Sequence, residues 1–269
     1  MTARSGGIVL AGGRSSRMGQ SKASLDWHGS TLLRRVVGLV GRATGGPVVV
    51  VRPAGRPLPR LPAGVEVVDD ARDGLGPLQA LASGLAALAG RVEVAYASAT
   101  DVPLLHPALV QLVCDRLTSG HQAAVPEVSG PHPLAAAYRT DLAEVAAGLV
   151  AQGERSLLSL LDASRVCWLS DSALRVADAD LRSLWNLNES GDYRRARAEP
   201  LPRVLVETGN LAVRGAPSRV VGAATLRQAA AAVGLELVRV AGVLNRDQVS
   251  DDPELPLVDG DHVMFMAKP

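Results

Sequence analysis

Lysine is almost absent from this chain of 269 residues. It occurs only at Lys22 and Lys268, so nearly all of the positive charge is arginine. Cysteine is equally scarce. Cys114 and Cys167 are too few for a disulfide framework and lack metal-ligand spacing, and both read as buried core thiols. The five histidines are scattered along the chain, which argues against a zinc site. Neither sign of charge dominates. With 28 basic and 27 acidic residues the net charge is +1, so nothing in the balance suggests nucleic acid or a membrane surface as partner. No apolar run approaches the ~18 residues of a membrane span. The opening Met-Thr-Ala-Arg-Ser-Gly-Gly has none of the parts of a secretory signal. The expectation is a soluble, reduced, cytoplasmic protein.

What is present is core-forming material. Hydrophobic residues make up 47% of the chain and charged ones 20%, the composition of a globular protein, and the length suits one large domain or one and a half. Up to about residue 198, short apolar runs alternate with amphipathic stretches. Ile8 to Leu10, Val48 to Val51, Val65 to Val68 and Val92 to Tyr96 are expected strands. Leu32, Val36 and Val40 share one face of a helix, Leu78, Leu81, Leu85 and Leu88 one face of a second, and His106-Pro107 opens a third. Such a pattern predicts an α/β fold, a mainly parallel, Rossmann-like sheet covered by helices on both faces. Ligands of these sheets sit beyond the carboxyl ends of the strands, which gathers the loops after Leu10, Val68 and Ala99 around one crevice.

Residues 199–203, Glu-Pro-Leu-Pro-Arg, read as a linker between a domain at 1–198 and a second at 204–269. The second region holds expected strands at Val204 to Glu207, Arg219 to Val221, Leu237 to Val243 and His262 to Met266. Thr225 caps a helix within it, and Asp259-Gly260 marks a turn. That order predicts a small α+β domain.

The segment Leu10-Ala11-Gly12-Gly13-Arg14-Ser15-Ser16-Arg17-Met18-Gly19-Gln20-Ser21-Lys22 follows the first strand. Its glycines and serines let backbone N–H groups approach a phosphate, and Arg17 and Lys22 add positive charge in a chain otherwise nearly free of lysine. It is neither a Walker A loop nor a dinucleotide fingerprint. Asp101, in Ala99-Thr100-Asp101-Val102-Pro103, ends an apolar strand at the same crevice, where a carboxylate suits Mg²⁺ shared with substrate phosphates. Asp69-Asp70, ahead of Gly76-Pro77-Leu78, is a third element and weaker alone.

The first of these segments resembles the L-A-G-G-x-S-x-R-M-G-x-x-K signature of nucleotidyltransferases of the nucleotide-diphospho-sugar transferase type. The chain is most similar to the molybdenum cofactor guanylyltransferases. Gly76-Pro77-Leu78, Thr100 to Leu104, Pro133-Leu134 with Tyr138, Gly153 to Leu157 and Asn186-Leu187-Asn188 support this, and the likeness spans roughly residues 6–195. The resemblance implies transfer of GMP from GTP to the terminal phosphate of molybdopterin, with release of pyrophosphate. It implies that the backbone of Leu10, Ala11, Gly12 and Gly13 holds base and phosphates and that Lys22 contacts the phosphates. Arg17 would neutralise the leaving pyrophosphate, and Asp101 would bind Mg²⁺ and nucleotide. Asp70, or alternatively Asp69, would contact GTP, and Asn186 and Asn188 would line the pterin side. The sequence departs from the family at Thr100, at Gln79-Ala80, at Glu189 after Asn188, and at Arg52-Pro53, where the family carries an asparagine. Cytidylyl transfer, guanylyl transfer to another phosphorylated cofactor, and a non-catalytic nucleotide-binding scaffold remain as alternatives.

Residues 203–269 resemble the ubiquitin-like β-grasp sulfur carriers of the MoaD and ThiS type, most clearly in Val258-Asp259-Gly260-Asp261-His262-Val263. Those carriers end in Gly-Gly, whereas this sequence ends in Lys268-Pro269. The resemblance therefore implies a docking module for a partner from the same pathway rather than a carrier, with a packing appendage as the alternative.

Overall fold

The computed structural model describes residues 5–12, 21–70, 76–209, 211 and 217–268. Two compact units result. One takes the residues up to Leu25 together with Leu32–Ser190. The other takes Asp26–Thr31 together with the residues from Gly191 onward.

The first unit is built on a seven-stranded sheet. Its strands are β1 (Ser5–Leu10), β4 (Gly45–Pro53), β5 (Glu66–Asp70), β6 (Val94–Ala99), β7 (Ala123–Glu127), β8 (Ala135–Arg139) and β9 (Val166–Ser170). The two short strands β2 (Asp26–Trp27) and β3 (Ser30–Thr31) form a separate hairpin in the other unit. The order across the sheet is β5-β4-β1-β6-β8-β7-β9, and only β8 runs antiparallel to its neighbours. Helices α1 (Leu32–Thr44), α2 (Pro77–Leu88), α3 (Pro107–Asp115), α4 (Leu142–Ala151), α5 (Leu157–Asp162) and α6 (Asp171–Leu174) surround it. The expected mainly parallel sheet with flanking helices is present.

Alternation along β1 explains how both faces are covered. A Cβ at Gly7 would lie 2.3 Å from Val40 of α1, while the next residue, Ile8, reaches within 2.6 Å of the Cβ position of Gly84 on α2. Leu32, Leu33, Val36, Leu39 and Val40 of α1, and Leu78, Leu81, Leu85 and Leu88 of α2, are fully buried. Leu32, Val36 and Val40, with the four leucines of α2, are the residues whose period marks the helices in the sequence. Strand limits shift from the expected ones. β5 continues through Asp69 and Asp70, which are therefore strand-end residues rather than loop residues, and β6 starts at Val94 instead of Val92. Cys114 and Cys167 are only half-buried, contrary to the expectation of core thiols, because each sits toward the edge of its element.

The second unit holds α7 (Ser190–Ala198, all but its first residue), β10 (Arg203–Glu207), β11 (Ser218–Gly222), α8 (Leu226–Ala232), β12 (Val240–Leu244), β13 (Gln248–Ser250) and β14 (His262–Ala267). The sheet order is β11-β10-β14-β12-β13, with β10 and β14 parallel at the centre and the remaining pairs antiparallel. Leu226, Ala229 and Ala230 of α8 pack on Val204, Val206, Val263 and Phe265. Thr225 caps α8, its hydroxyl accepting the Gln228 N–H at 3.4 Å, and Gly260 turns the chain before β14 with a φ of 81°.

The β2–β3 hairpin belongs to this unit although it lies near the start of the sequence. Trp27 is 2% exposed and meets Tyr193 edge-on, with ring centroids 6.5 Å apart. The Gln228 amide donates to the His28 carbonyl at 3.1 Å, the Ser30 hydroxyl donates to Glu254 at 2.9 Å, and Arg197 pairs with Asp26.

Candidate active site

A crevice of about 840 Å³ opens at the carboxyl ends of β1, β4, β5 and β6, within the first unit. Cavities that take most of a cofactor-sized ligand fall in the same range, about 300–1,000 Å³.

At its centre the Lys22 ammonium donates to Asp101 Oδ2 at 2.7 Å, and the two side chains are 23% and 17% exposed. Lys22 opens a 3-10 turn, Lys22–Ser24, beyond β1, and Asp101 stands just past the end of β6. Neighbouring groups hold the Asp101 loop. The Thr100 hydroxyl donates to the Leu10 carbonyl at 2.9 Å, tying the ends of β1 and β6 together. Arg35, buried on α1, donates to the Pro103 carbonyl at 2.5 Å. The Leu187 N–H donates to the Asp101 carbonyl at 2.9 Å. Leu187 is buried and the asparagines on either side are exposed, so Asn186 and Asn188 both line the crevice.

Leu10, Ala11 and Gly12 line the same space. The Ala11 N–H is committed to the Val51 carbonyl at 2.8 Å. Gly13 and Arg17 lie outside the described residues. The two candidate aspartates part company, as strand alternation requires. Asp70, 9% exposed, lines the crevice. Asp69 does not, and accepts instead from Arg52 Nε at 2.6 Å.

Gly76 opens α2 with a φ of 88°, and a Cβ there would fall 2.8 Å from the Arg155 carbonyl. That carbonyl accepts the Leu78 N–H at 3.3 Å, which brings Gly76-Pro77-Leu78 and Arg155 together. The pairing of Pro133 with Tyr138 has a similar physical basis. The buried Tyr138 hydroxyl donates to the Pro133 carbonyl at 2.8 Å and fixes the loop carrying His132 and Pro133 against the crevice. Burial pushes the Tyr138 hydroxyl far above the ordinary phenol range, so it stays a neutral donor.

Sequence reasoning assigned no role to Arg52, Arg56, His132 or Arg155, all of which line the crevice. Arg52 and Arg56 had one available signal, their place at the carboxyl end of a buried strand. Arg35 had none, because its contact with Pro103 joins residues 68 apart in the sequence.

The donor set decides what cation could be held here. Among the described residues no group of three or more His, Cys, Asp or Glu side chains is placed to hold a metal. The crevice offers the carboxylates of Asp70 and Asp101. A hard cation that takes one of these carboxylates and completes its shell from phosphate oxygens and water fits that set, and a soft-ligand metal does not.

Residues 7–166 match the family model of the MobA-like NTP transferase domain. A probable molybdenum cofactor guanylyltransferase from Mycobacterium tuberculosis is 42% identical over 188 residues, covering 68% of this chain and 89% of the relative. Its counterpart from Mycobacterium marinum is 40% identical over 190 residues, covering 69% and 90%. The crystal structure of molybdopterin-guanine dinucleotide biosynthesis protein A from Archaeoglobus fulgidus superposes with a TM-score of 0.57 at 24% identity, over 71% of this chain and 96% of that one, a likeness of fold. No helix among the described residues is long and apolar enough to cross a membrane.

Proposed function

The chain belongs to the family of MobA-like NTP transferase domains, and from that premise we propose that it transfers GMP from GTP to the terminal phosphate of molybdopterin. It is a nucleotidyltransferase. A phosphate oxygen of the acceptor forms a bond to the α-phosphorus of GTP, the bond from that phosphorus to the bridging oxygen breaks, and pyrophosphate leaves with the electron pair. The nucleophile is already an anion, so no activated serine, cysteine or strong base is needed. The barrier is electrostatic: two anions must meet and the leaving group must gain charge.

The observation that carries this reading is the Lys22–Asp101 pair at 2.7 Å, at the carboxyl ends of β1 and β6. Lys22 would release Asp101 and take a phosphate oxygen when nucleotide binds. Mg²⁺, held by Asp101 and substrate oxygens, would supply charge neutralisation along the phosphate chain. Arg17 would neutralise the departing pyrophosphate, and the backbone from Leu10 to Gly13 would line base and phosphates. Asp70 would contact the nucleotide, a reading its place in the crevice supports. Asn186 and Asn188 would face the pterin.

For residues 204–269 the β-grasp reading draws its support from the strand order, the central parallel pair and the helix that follows the first hairpin. The proposed division by function is a transferase domain at 1–198, a linker at 199–203 and a β-grasp domain at 204–269, the last a docking module for a partner in cofactor assembly; the compact units differ from it in giving Asp26–Thr31 and α7 from Gly191 to the second.

The test is pyrophosphate release with Mg²⁺ and molybdopterin, offering GTP, CTP, ATP and UTP separately, with Asp101→Ala as control. Release with GTP that the substitution removes is the expected result. Preference for CTP would make the chain a cytidylyltransferase, and GTP binding without release would favour a scaffold.

A further inference from the structure

The crevice has two chemically distinct ends. Asp101 follows β6, whereas Arg52 lies near the end of β4 and Asp70 ends β5, and the intervening order is β5-β4-β1-β6. Three strand spacings of roughly 4.8 Å separate the Asp70 and Asp101 strand ends by about 14 Å. With the pterin at Asn186 and Asn188, as proposed above, a nucleotide whose phosphates lie at Lys22 and Asp101 would extend its base the other way, over β4 and β5. The groups waiting there are a carboxylate, Asp70, a guanidinium, Arg52, and the apolar surfaces of Pro53, Pro77 and Ala80.

Arg52 is fixed in direction. Its Nε donates to Asp69 at 2.6 Å and its Nη1 donates to the Arg56 carbonyl at 2.9 Å. Register sets Arg52 beside Asp69 and Pro53 beside Asp70, and of these four only Asp69 does not line the crevice. What Arg52 has left to offer is the Nη2 amino group and the second Nη1 hydrogen, two parallel donors. Guanine presents two acceptors, O6 and N7, on one edge, and the N1–H and N2–H donors on the next. A carboxylate suits the donors, and a forked guanidinium suits the acceptors.

We infer that Arg52 is a specificity-determining residue of the nucleotide site, donating to the O6/N7 edge of guanine, and that Asp69 is the positioning residue that aims it. This rests on the guanylyl-transfer reading above. It gives the aspartate outside the crevice a role distinct from that of the aspartate inside it.

The experiment compares GTP, 7-deaza-GTP, which lacks the N7 acceptor, and ITP, which lacks the exocyclic amine. Steady-state kcat/KM and equilibrium Kd are measured for the full-length wild type, Arg52→Ala, Arg52→Lys and Asp69→Asn. The wild type is expected to prefer GTP over 7-deaza-GTP by about fivefold or more. In Arg52→Ala that ratio falls to near one, while the GTP-to-ITP ratio, read on the other edge, holds. Arg52→Lys keeps the charge but not the fork and also loses the ratio. Asp69→Asn raises KM for GTP and lowers the ratio with kcat little changed. A wild type indifferent to N7, or an Arg52→Ala variant that keeps the wild-type ratio, overturns the inference and leaves guanylyl transfer standing. A wild type with no GTP-dependent transfer overturns both. The Kd series reads the same ratios in variants too slow to assay.

Discussion

Lys22 and Asp101 are partly exposed, so their ion pair contributes little to folding, of order 0–1 kcal/mol. Their value is in charge placement. Lys22→Ala and Asp101→Ala should each lower kcat/KM roughly a hundredfold or more, with melting temperatures close to wild type in a thermal scan. A variant that keeps its rate removes the residue from the site. Cys114 gives a second residue-scale prediction. Although Cys114 as a residue is half-buried, desolvation of its sulfur, reinforced by the neighbouring Asp115, pushes the thiol up to about 12. At pH 8 it stays neutral and a poor nucleophile, so Cys114 should resist a maleimide in the native protein and react once the chain is unfolded, as peptide mass mapping would show. Scarcity made Lys22 legible in the sequence, since a cation type used twice in the whole chain draws notice when it follows a glycine-rich loop. Tyr138 was legible only as part of a pattern. Its reason, a buried hydroxyl holding the Pro133 carbonyl, belongs to the tertiary structure.

Elements with strong periodicity were easy to read. The leucines of α2 and the valines of β4 announce a helix face and a buried strand. β7, Ala-Ala-Val-Pro-Glu, and β8, Ala-Ala-Ala-Tyr-Arg, do not, because alanine is a weak strand former and fits this sheet only through close packing above and below. Close packing also governs Gly84, in the middle of α2. Alanine has the higher helix propensity, by about 1 kcal/mol, so an isolated helix would gain from Gly84→Ala. In the folded chain the new Cβ would sit 2.6 Å from Ile8 Cγ2, against a rigid β-branched side chain of the central strand. The overpacking cost, about 1–3 kcal/mol, should win, and denaturant titration should find the variant less stable than wild type.

At the scale of the whole molecule, sequence reading gave a simple succession of domains, whereas the second unit also takes in Asp26–Thr31. Nothing in those six residues announces this, since two-residue strands carry no periodicity. Trp27, Ser30 and the His28 carbonyl find partners at Tyr193, Glu254 and Gln228 of that unit. Trp27→Ala should therefore destabilise by about 3–5 kcal/mol, as loss of a buried tryptophan does. Hydrogen exchange followed by mass spectrometry should locate the lost protection in α7 and in β10 to β14, with β1 and β4 keeping theirs. Uniform loss across both units would contradict the division.

That hairpin sets a rule for anyone recombining this chain. A graft that exchanges everything after residue 190 for another module replaces Tyr193, Gln228 and Glu254 but leaves their counterparts behind, uncovering the Tyr193 side of an indole and removing the Gln228 and Glu254 groups that bond His28 and Ser30. Six residues near the front of the gene have to travel with its last third.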